Sequence, residues 1–264
     1  MSKQTLYIVK IGGNVVDDAA ALQQFLTDFA AIKGNKILVH GGGKIATQVA
    51  EKLGIEVNIV NGRRITDAAM LDVAVMVYAG LANKNIVAKL QSLQCNAIGL
   101  SGADANSITA HKRIHPEIDY GFVGDIDSVN TTAFETLING GLTPIVSAIT
   151  HDGKGQLLNT NADTIASALA VALTGSYNTQ LVYCFEKNGV LKNVDDENSV
   201  IPSINPVQFE ELKTQGIIAK GMLPKLDNAF NAINFGVRAV IIGNSNRLTD
   251  LLNPTSHAGT VISK

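Results

Sequence analysis

The sequence is short of cysteine, of basic charge and of long apolar runs, and each shortage excludes a class. Only Cys95 and Cys184 occur among 264 residues. They match no metal-ligand spacing and build no disulfide framework, which points to a reducing cytoplasm. Lysine and arginine number 21 against 23 acidic residues, a net charge of −2. A chain without basic excess is not expected to bind nucleic acid through a general field, so any anion must be held by a few placed groups. No apolar stretch reaches the roughly 18 residues of a membrane span. The first apolar segment, Leu6–Val9, is also too short for a secretory signal. Linkers rich in Pro or Ser, blocks of one charge and internal repeats are missing as well.

What is present is apolar content: 46% hydrophobic residues and a mean hydropathy of +0.18. With so little net charge, this composition excludes disorder as the main state. Short β-branched runs alternate with amphipathic stretches. Leu6–Ile11 and Lys36–His40 read as strands ending in glycines. Asp17 to about Ile32, Lys44–Leu53 and a long segment from Thr66-Asp67 to about Leu93 read as helices. Further strands are expected at Asn96–Leu100, Thr143–Val146, Gln180–Phe185 and Ala239–Ile242, with helices at Thr132–Asn139, Asp163–Thr174, Pro206–Gln215 and Pro224–Phe235. Continuous apolar strands alternating with helices predict an α/β fold, a parallel sheet covered on both faces. Two lobes joined near 175–180 without a linker fit this pattern, with one sheet running through both.

Five features could carry chemistry. Gly41-Gly42-Gly43 lies between a strand and a helix, where backbone N–H groups and the helix N-terminus suit an anion. A tight turn would equally explain the glycines. No GxxxxGK[ST] loop occurs, the dinucleotide fingerprint lacks its acid after Val60, and the esterase-like His-Gly-Gly-Gly lacks a GxSxG elbow. Lys10 interrupts an apolar strand just before Gly12-Gly13, either as an edge residue or as a cation at the ligand end of the sheet. Asp163, in Asn159-Thr-Asn161-Ala-Asp163, starts a helix, a position that ordinary capping also explains. Lys225 sits in the first turn of a helix, where it opposes the dipole, and Arg64 follows a turn. Two lysines, a glycine cradle and an aspartate together suit phosphoryl transfer, which depends on positioning and charge neutralisation.

These residues carry a resemblance. Val9-Lys-Ile-Gly-Gly13, Val39-His-Gly-Gly-Gly43, Asn61-Gly-x-Arg64-x-Thr66, Gly99-Leu-Ser-Gly102, Leu158-Asn-x-Asn-Ala-Asp163 and Gly216-Ile-Ile-x-x-Gly-Met-x-x-Lys225 appear in order over nearly the whole chain. Together they resemble the amino acid kinase family, and the Asn-Gly-x-Arg-x-Thr and Asn-x-Asn-Ala-Asp motifs point to its acylglutamate branch. The resemblance implies a three-layer αβα sandwich with a mainly parallel sheet. It divides the chain into an acyl-amino-acid lobe with a dimer interface (1–176) and an ATP-binding lobe (177–264).

The implied activity is ATP-dependent phosphorylation of the γ-carboxylate of N-acetyl-L-glutamate in arginine biosynthesis. N-succinyl-L-glutamate, or a non-catalytic amino-acid or nucleotide sensor, stands as the alternative, and a nicotinamide-dependent oxidoreductase rests only on the loose glycine pattern. By position, Lys10 and Lys225 would stabilise the transferring phosphoryl group and Asp163 would organise both. Gly13, Gly42 and Gly43 would donate N–H groups, and Arg64 and Asn159 would hold the acylated amino acid. Glu186, Gly189, Ile217, Ile218 and Ala219 would line the nucleotide pocket, with Mg²⁺ held mainly by ATP phosphates. Phe185-Glu-Lys-Asn-Gly189 and Ala219-Lys220 depart from the family pattern in that nucleotide half. A homodimer is expected, with the helix at 67–93 as a candidate interface. The early first strand leaves no room for the N-terminal helix of arginine-inhibited hexameric members, so insensitivity to arginine is expected too.

Overall fold

A computed structural model describes residues 3–60, 62–218, 222–253, 255–256 and 258–264. The chain opens with β1 (Thr5–Ile11), α1 (Gly13–Asp17), α2 (Ala19–Ala31), β2 (Asn35–His40) and α3 (Gly43–Lys52). The hairpin β3 (Ile59–Val60) and β4 (Arg63–Arg64) precedes α4 (Ala68–Ala74), a π-helical segment Val75–Ala82, α5 (Asn83–Ser92) and β5 (Ala97–Leu100). Next come β6 (Ile108–Lys112), β7 (Gly124–Val129), α6 (Thr131–Asn139), β8 (Thr143–Ser147), β9 (Ile149–His151), β10 (Leu157–Asn159) and α7 (Ala162–Ala172). The remainder is β11 (Asn178–Phe185), β12 (Ser203–Ile204), α8 (Pro206–Thr214), α9 (Leu223–Asn234), β13 (Ala239–Asn244), α10 (Leu248–Leu251) and β14 (Thr260–Ile262).

Eight strands form one sheet in the order β12-β14-β13-β11-β1-β2-β8-β5. Every neighbouring pair is parallel except β13 with β14. The strands after residue 177 therefore continue the sheet begun by β1 and β2. Alternation along β1 sorts its side chains: Leu6 and Ile8 enter one core, Val9 and Ile11 the other. α3, α4, α6, α7 and α9 cover the first face, while α2, α5 and α10 cover the second. This is the expected mainly parallel, three-layer α/β sandwich. Phe25, Leu26 and Phe29 of α2 are fully buried, each stabilising the fold by about 1.5–3 kcal/mol.

Several boundaries differ from the sequence reading. The helix expected from Asp17 is two, because Asp18 caps α2 by accepting from the N–H groups of Ala20 and Ala21 at 2.9 Å. Of the segment Glu56–Val60, only Ile59–Val60 forms a strand. The long helix starts as read, with Asp67 accepting from Met70 N–H at 2.8 Å. It runs from Ala68 to Ser92, 25 residues, and holds an 18-residue window of mean hydropathy 1.2, long and apolar enough by composition to cross a membrane. Half of it is buried within the fold, as a core helix would be. This length matches the helix read from Thr66-Asp67 to about Leu93. A smaller sheet, β10-β9-β6-β7, folds over the C-terminal ends of β8 and β5.

Candidate active site

Lys10 shares the face of Leu6 and Ile8, the one covered by α7, and lies at the carboxyl end of β1. It is paired in register with Tyr183 of β11. Asn161 caps α7 by accepting from the N–H groups of Asp163 and Thr164, which sets Asp163 in the first turn. The two elements meet there. Lys10 Nζ lies 2.7 Å from Asp163 Oδ1, and Lys225 Nζ, from the start of α9, lies 2.7 Å from Oδ2. Burial alone would raise the Asp163 carboxyl, but the adjacent Lys10 and Lys225 ammonium groups outweigh it and hold its pKa at about 2. Tyr183 floors the cluster, donating from its hydroxyl to the Asp163 carbonyl at 3.2 Å. Three charges thus carry a net +1 at the carboxyl edge of a parallel sheet, the edge at which open α/β folds bind ligands.

Gly41-Gly42-Gly43 forms the shared wall of two adjoining crevices. One holds Lys10, Gly13, Asn14 and Glu186. The other holds Arg63, Arg64, Tyr78, Val123 and Asn159. α3 begins at Gly43, and Gly42 at its cap offers no side-chain acceptor. Of its first N–H groups, that of Ile45 faces the Asp17 carboxylate, and those of Gly43 and Lys44 are left to bind an anion. A Cβ on Gly42 would stand 3.0 Å from the Tyr78 ring, so a larger residue would have to displace that ring where the π-helical turn presses Tyr78 against the loop.

Arg64 is fixed before any ligand arrives. Its Nη2 donates to the Gly43 carbonyl at 2.9 Å and to Thr47 Oγ1 at 2.8 Å. Asn159, at the end of β10, donates from Nδ2 to Thr66 Oγ1 at 3.0 Å. Arg63 is a second arginine on the same crevice that sequence reading passed over. Burial and the neighbouring Arg113 depress its pKa, while Asp125 and Tyr120 oppose this. Asp125 is itself engaged by Arg113, and Arg63 makes no ion pair among the described residues.

The structure therefore brings Lys10, Gly13, Gly42, Gly43, Arg64, Asn159 and Glu186 to one crevice system, with Asp163 joined to it through Lys10 and bonded to Lys225. The remaining nucleotide-side residues are placed differently. A Cβ on Gly189 would approach Thr260 Oγ1 and Val200 Cγ1 to 2.8 Å, so packing alone requires this glycine. Ile218 is 5% exposed and belongs to the hydrophobic core, and Ile217 is half-buried. Ala219 lies outside the described residues, as do Lys220, Gly221 and Asn61 of the motifs. Sequence reading also missed Tyr78, Thr47 and the buried pair His40–Asn83. For the last, the signals were a histidine closing an apolar strand and an asparagine within the long helix read over 67–93.

The sequence model of the amino acid kinase family matches residues 5–244. A protein named acetylglutamate kinase from Cytophaga hutchinsonii is 58% identical over 258 residues, 97% of this chain and 98% of that one. Another of that name from Phocaeicola vulgatus is 53% identical over 99% of this chain and 100% of its own length. Among solved structures, the smu.665 protein of Streptococcus mutans superposes with a TM-score of 0.78 at 25% identity, covering 98% of each chain. The Giardia lamblia carbamate kinase bound to AMP-PNP gives 0.71 at 15% identity over the whole of both chains, a likeness of fold alone.

Proposed function

The chain belongs to the amino acid kinase family, and from that premise we propose how its residues carry phosphate from ATP to a carboxylate. It is a kinase that phosphorylates the γ-carboxylate of N-acetyl-L-glutamate, giving N-acetyl-L-glutamyl 5-phosphate in arginine biosynthesis. The observation that carries this reading is the bridge Lys10–Asp163–Lys225, with both contacts at 2.7 Å, beside the glycine wall of the crevice.

The acceptor carboxylate is already an anion, so no general base is needed. One of its oxygens forms the bond to the γ-phosphorus as the bond to the β,γ-bridging oxygen breaks, and that electron pair leaves on ADP. Charge spread over the transferring oxygens is met by the ammonium groups of Lys10 and Lys225. Asp163, ionised at any physiological pH, keeps the two cations from separating. Gly13, Gly42 and Gly43 add backbone N–H groups. Arg64 and Asn159 hold the α-carboxylate and acylamino group, and their existing hydrogen bonds reduce the ordering cost of binding. Glu186 faces the phosphate side. Both Asp163 oxygens face lysine ammonium groups at 2.7 Å, so Mg²⁺ would be held mainly by the ATP phosphates, where it would supply further charge neutralisation. Residues 1–176 form the acceptor lobe and 177–264 the ATP lobe, the backbone near Gly189 and Ile217 bordering the nucleotide.

Two copies of the chain pair through the long helix, where Met76 and Leu81 are half exposed and apolar surface awaits a partner. Light scattering at several concentrations tests this, and a monomer throughout would refute it. Buried free thiols at Cys95 and Cys184 suit a cytoplasmic enzyme.

The assay for the main reading is ADP production that requires ATP, Mg²⁺ and N-acetylglutamate together. Absence of turnover with every N-acylglutamate would sink it. Arg63, a guanidinium on the acceptor crevice with no ion pair among the described residues, is the observation behind one second reading: N-succinyl-L-glutamate, whose acyl group ends in a carboxylate, as the acceptor in the same chemistry. Comparing kcat/KM for the two acyl groups decides it, since a site built around an extra carboxylate rejects the analogue lacking it.

A further inference from the structure

His40 ends β2 on the face opposite Lys10, beneath the glycine loop rather than beside the phosphates. It is fully buried, and so is Asn83 at the start of α5. Three distances define the pair. Asn83 Nδ2 lies 3.0 Å from His40 Nε2 and 2.9 Å from the Ile145 carbonyl, and His40 Nδ1 lies 2.8 Å from the Gly41 carbonyl. A carbonyl can only accept, so the Asn83 atom facing Ile145 is its NH₂ group. That group can only donate, so Nε2 is an acceptor and the neutral ring carries its proton on Nδ1. Nδ1–H then donates to Gly41. Lys84 Nζ, donating to Asn83 Oδ1 at 3.2 Å, fixes the amide from its other end. The fold reserves space for this arrangement: a Cβ on Gly99 would stand 1.8 Å from Asn83 Oδ1.

The consequence passes through one peptide plane. The 41–42 peptide is trans, since no cis bond occurs among the described residues. In a trans peptide the C=O and N–H point in opposite directions. Holding the Gly41 oxygen down onto the imidazole aims the Gly42 N–H upward. Gly42 lines both crevices, and among the described residues no group accepts from its N–H. We propose that the buried His40–Asn83 pair is a positioning device that orients the Gly42 N–H toward the transferring phosphoryl group. The inference rests on the kinase reading above for what that N–H meets.

Two substitutions separate positioning from mere support. In His40→Asn the amide nitrogen can replace Nδ1–H and still reach Gly41. In His40→Gln the amide reaches the Nε2 position and leaves the Gly41 carbonyl free. With N-acetylglutamate and ATP, His40→Gln is expected to lose kcat about 100-fold, the cost of one misplaced donor. His40→Asn should lose less than about 10-fold, with KM for both substrates within about threefold of the parent in each variant. Equal losses in the two variants at similar melting temperatures would overturn the proposal, as would a loss confined to KM. Should either variant fail to fold, ¹⁵N NMR of the unsubstituted protein still decides. A protonated Nδ1 and unprotonated Nε2 at His40 are expected near neutral pH, and the other tautomer refutes the device. An inactive parent enzyme with the expected tautomer would instead count against the kinase reading alone.

Discussion

Two polar networks lie at the same edge of the central sheet and face opposite ways. Lys10–Asp163–Lys225 is charged and opens on the crevice, while His40–Asn83 is neutral and sealed. Lys10 pairs in register with Val39, and Ile11 pairs with His40, so the two functional side chains are one step apart and point to different layers. The difference teaches how one sheet end can hold both a reactive surface and its support. Charges are tolerable in the first because the carboxylate is bonded twice and the lysines are partly solvated. In the second, full burial penalises the imidazolium, and only hydrogen bonds between neutral groups remain affordable.

Breaking the charged network should have the largest effect. Lys225→Ala is expected to lower kcat by about 10²–10³-fold, as for loss of one preorganised donor to developing charge. Steady-state kinetics beside a thermal melt checks it, and a near-normal kcat would remove Lys225 from the chemistry.

Acid should then separate the two networks by pH. Burial, with a small contribution from Lys84 and against the Gly41 hydrogen bond, lowers the His40 pKa from 6.5 to about 4. The unfolded chain therefore binds this proton first, so the neutral ring's contribution is complete above pH 6.5 and is lost as pH falls toward 4. A shift of this size is worth roughly 3 kcal/mol. Urea unfolding across that range should show the slope in the parent and lose it in His40→Asn. Asp163 acts in a lower window: its contribution is present above pH 3.8 and disappears toward pH 2. That step amounts to about 2 kcal/mol, and His40→Asn should retain it.

The smallest effect concerns a glycine outside both networks. Gly189→Ala should cost about 1–3 kcal/mol through overpacking against Thr260 and Val200, with KM for ATP little changed. A raised KM with an unchanged melting temperature would assign Gly189 to the nucleotide instead.

Much of the scaffold was legible before folding. β1 and β2 showed as apolar runs closed by glycines, and Asp67 marked a helix start where it occurs. β9, β10, β12 and β14 were not legible, because strands of two or three residues are too short to show a period. The π-helical stretch Val75–Ala82 was hidden for another reason: a changed hydrogen-bond register leaves composition untouched. Asp163 read equally well as a capping residue, and it does occupy a capped first turn. Its second task as a bridge needed three elements separated by more than sixty residues.

By itself the sequence determined the alternation of strands and helices, the glycine loops, and which cations stand at strand and helix ends. Those are local consequences of periodicity, backbone freedom and capping. Only the tertiary structure decided that Lys10 and Lys225 share one carboxylate, that Arg63 lies on the acceptor crevice, and that His40 supports a loop. Each depends on which face of the sheet a side chain leaves and what the opposing helix places there, and packing of distant segments sets both.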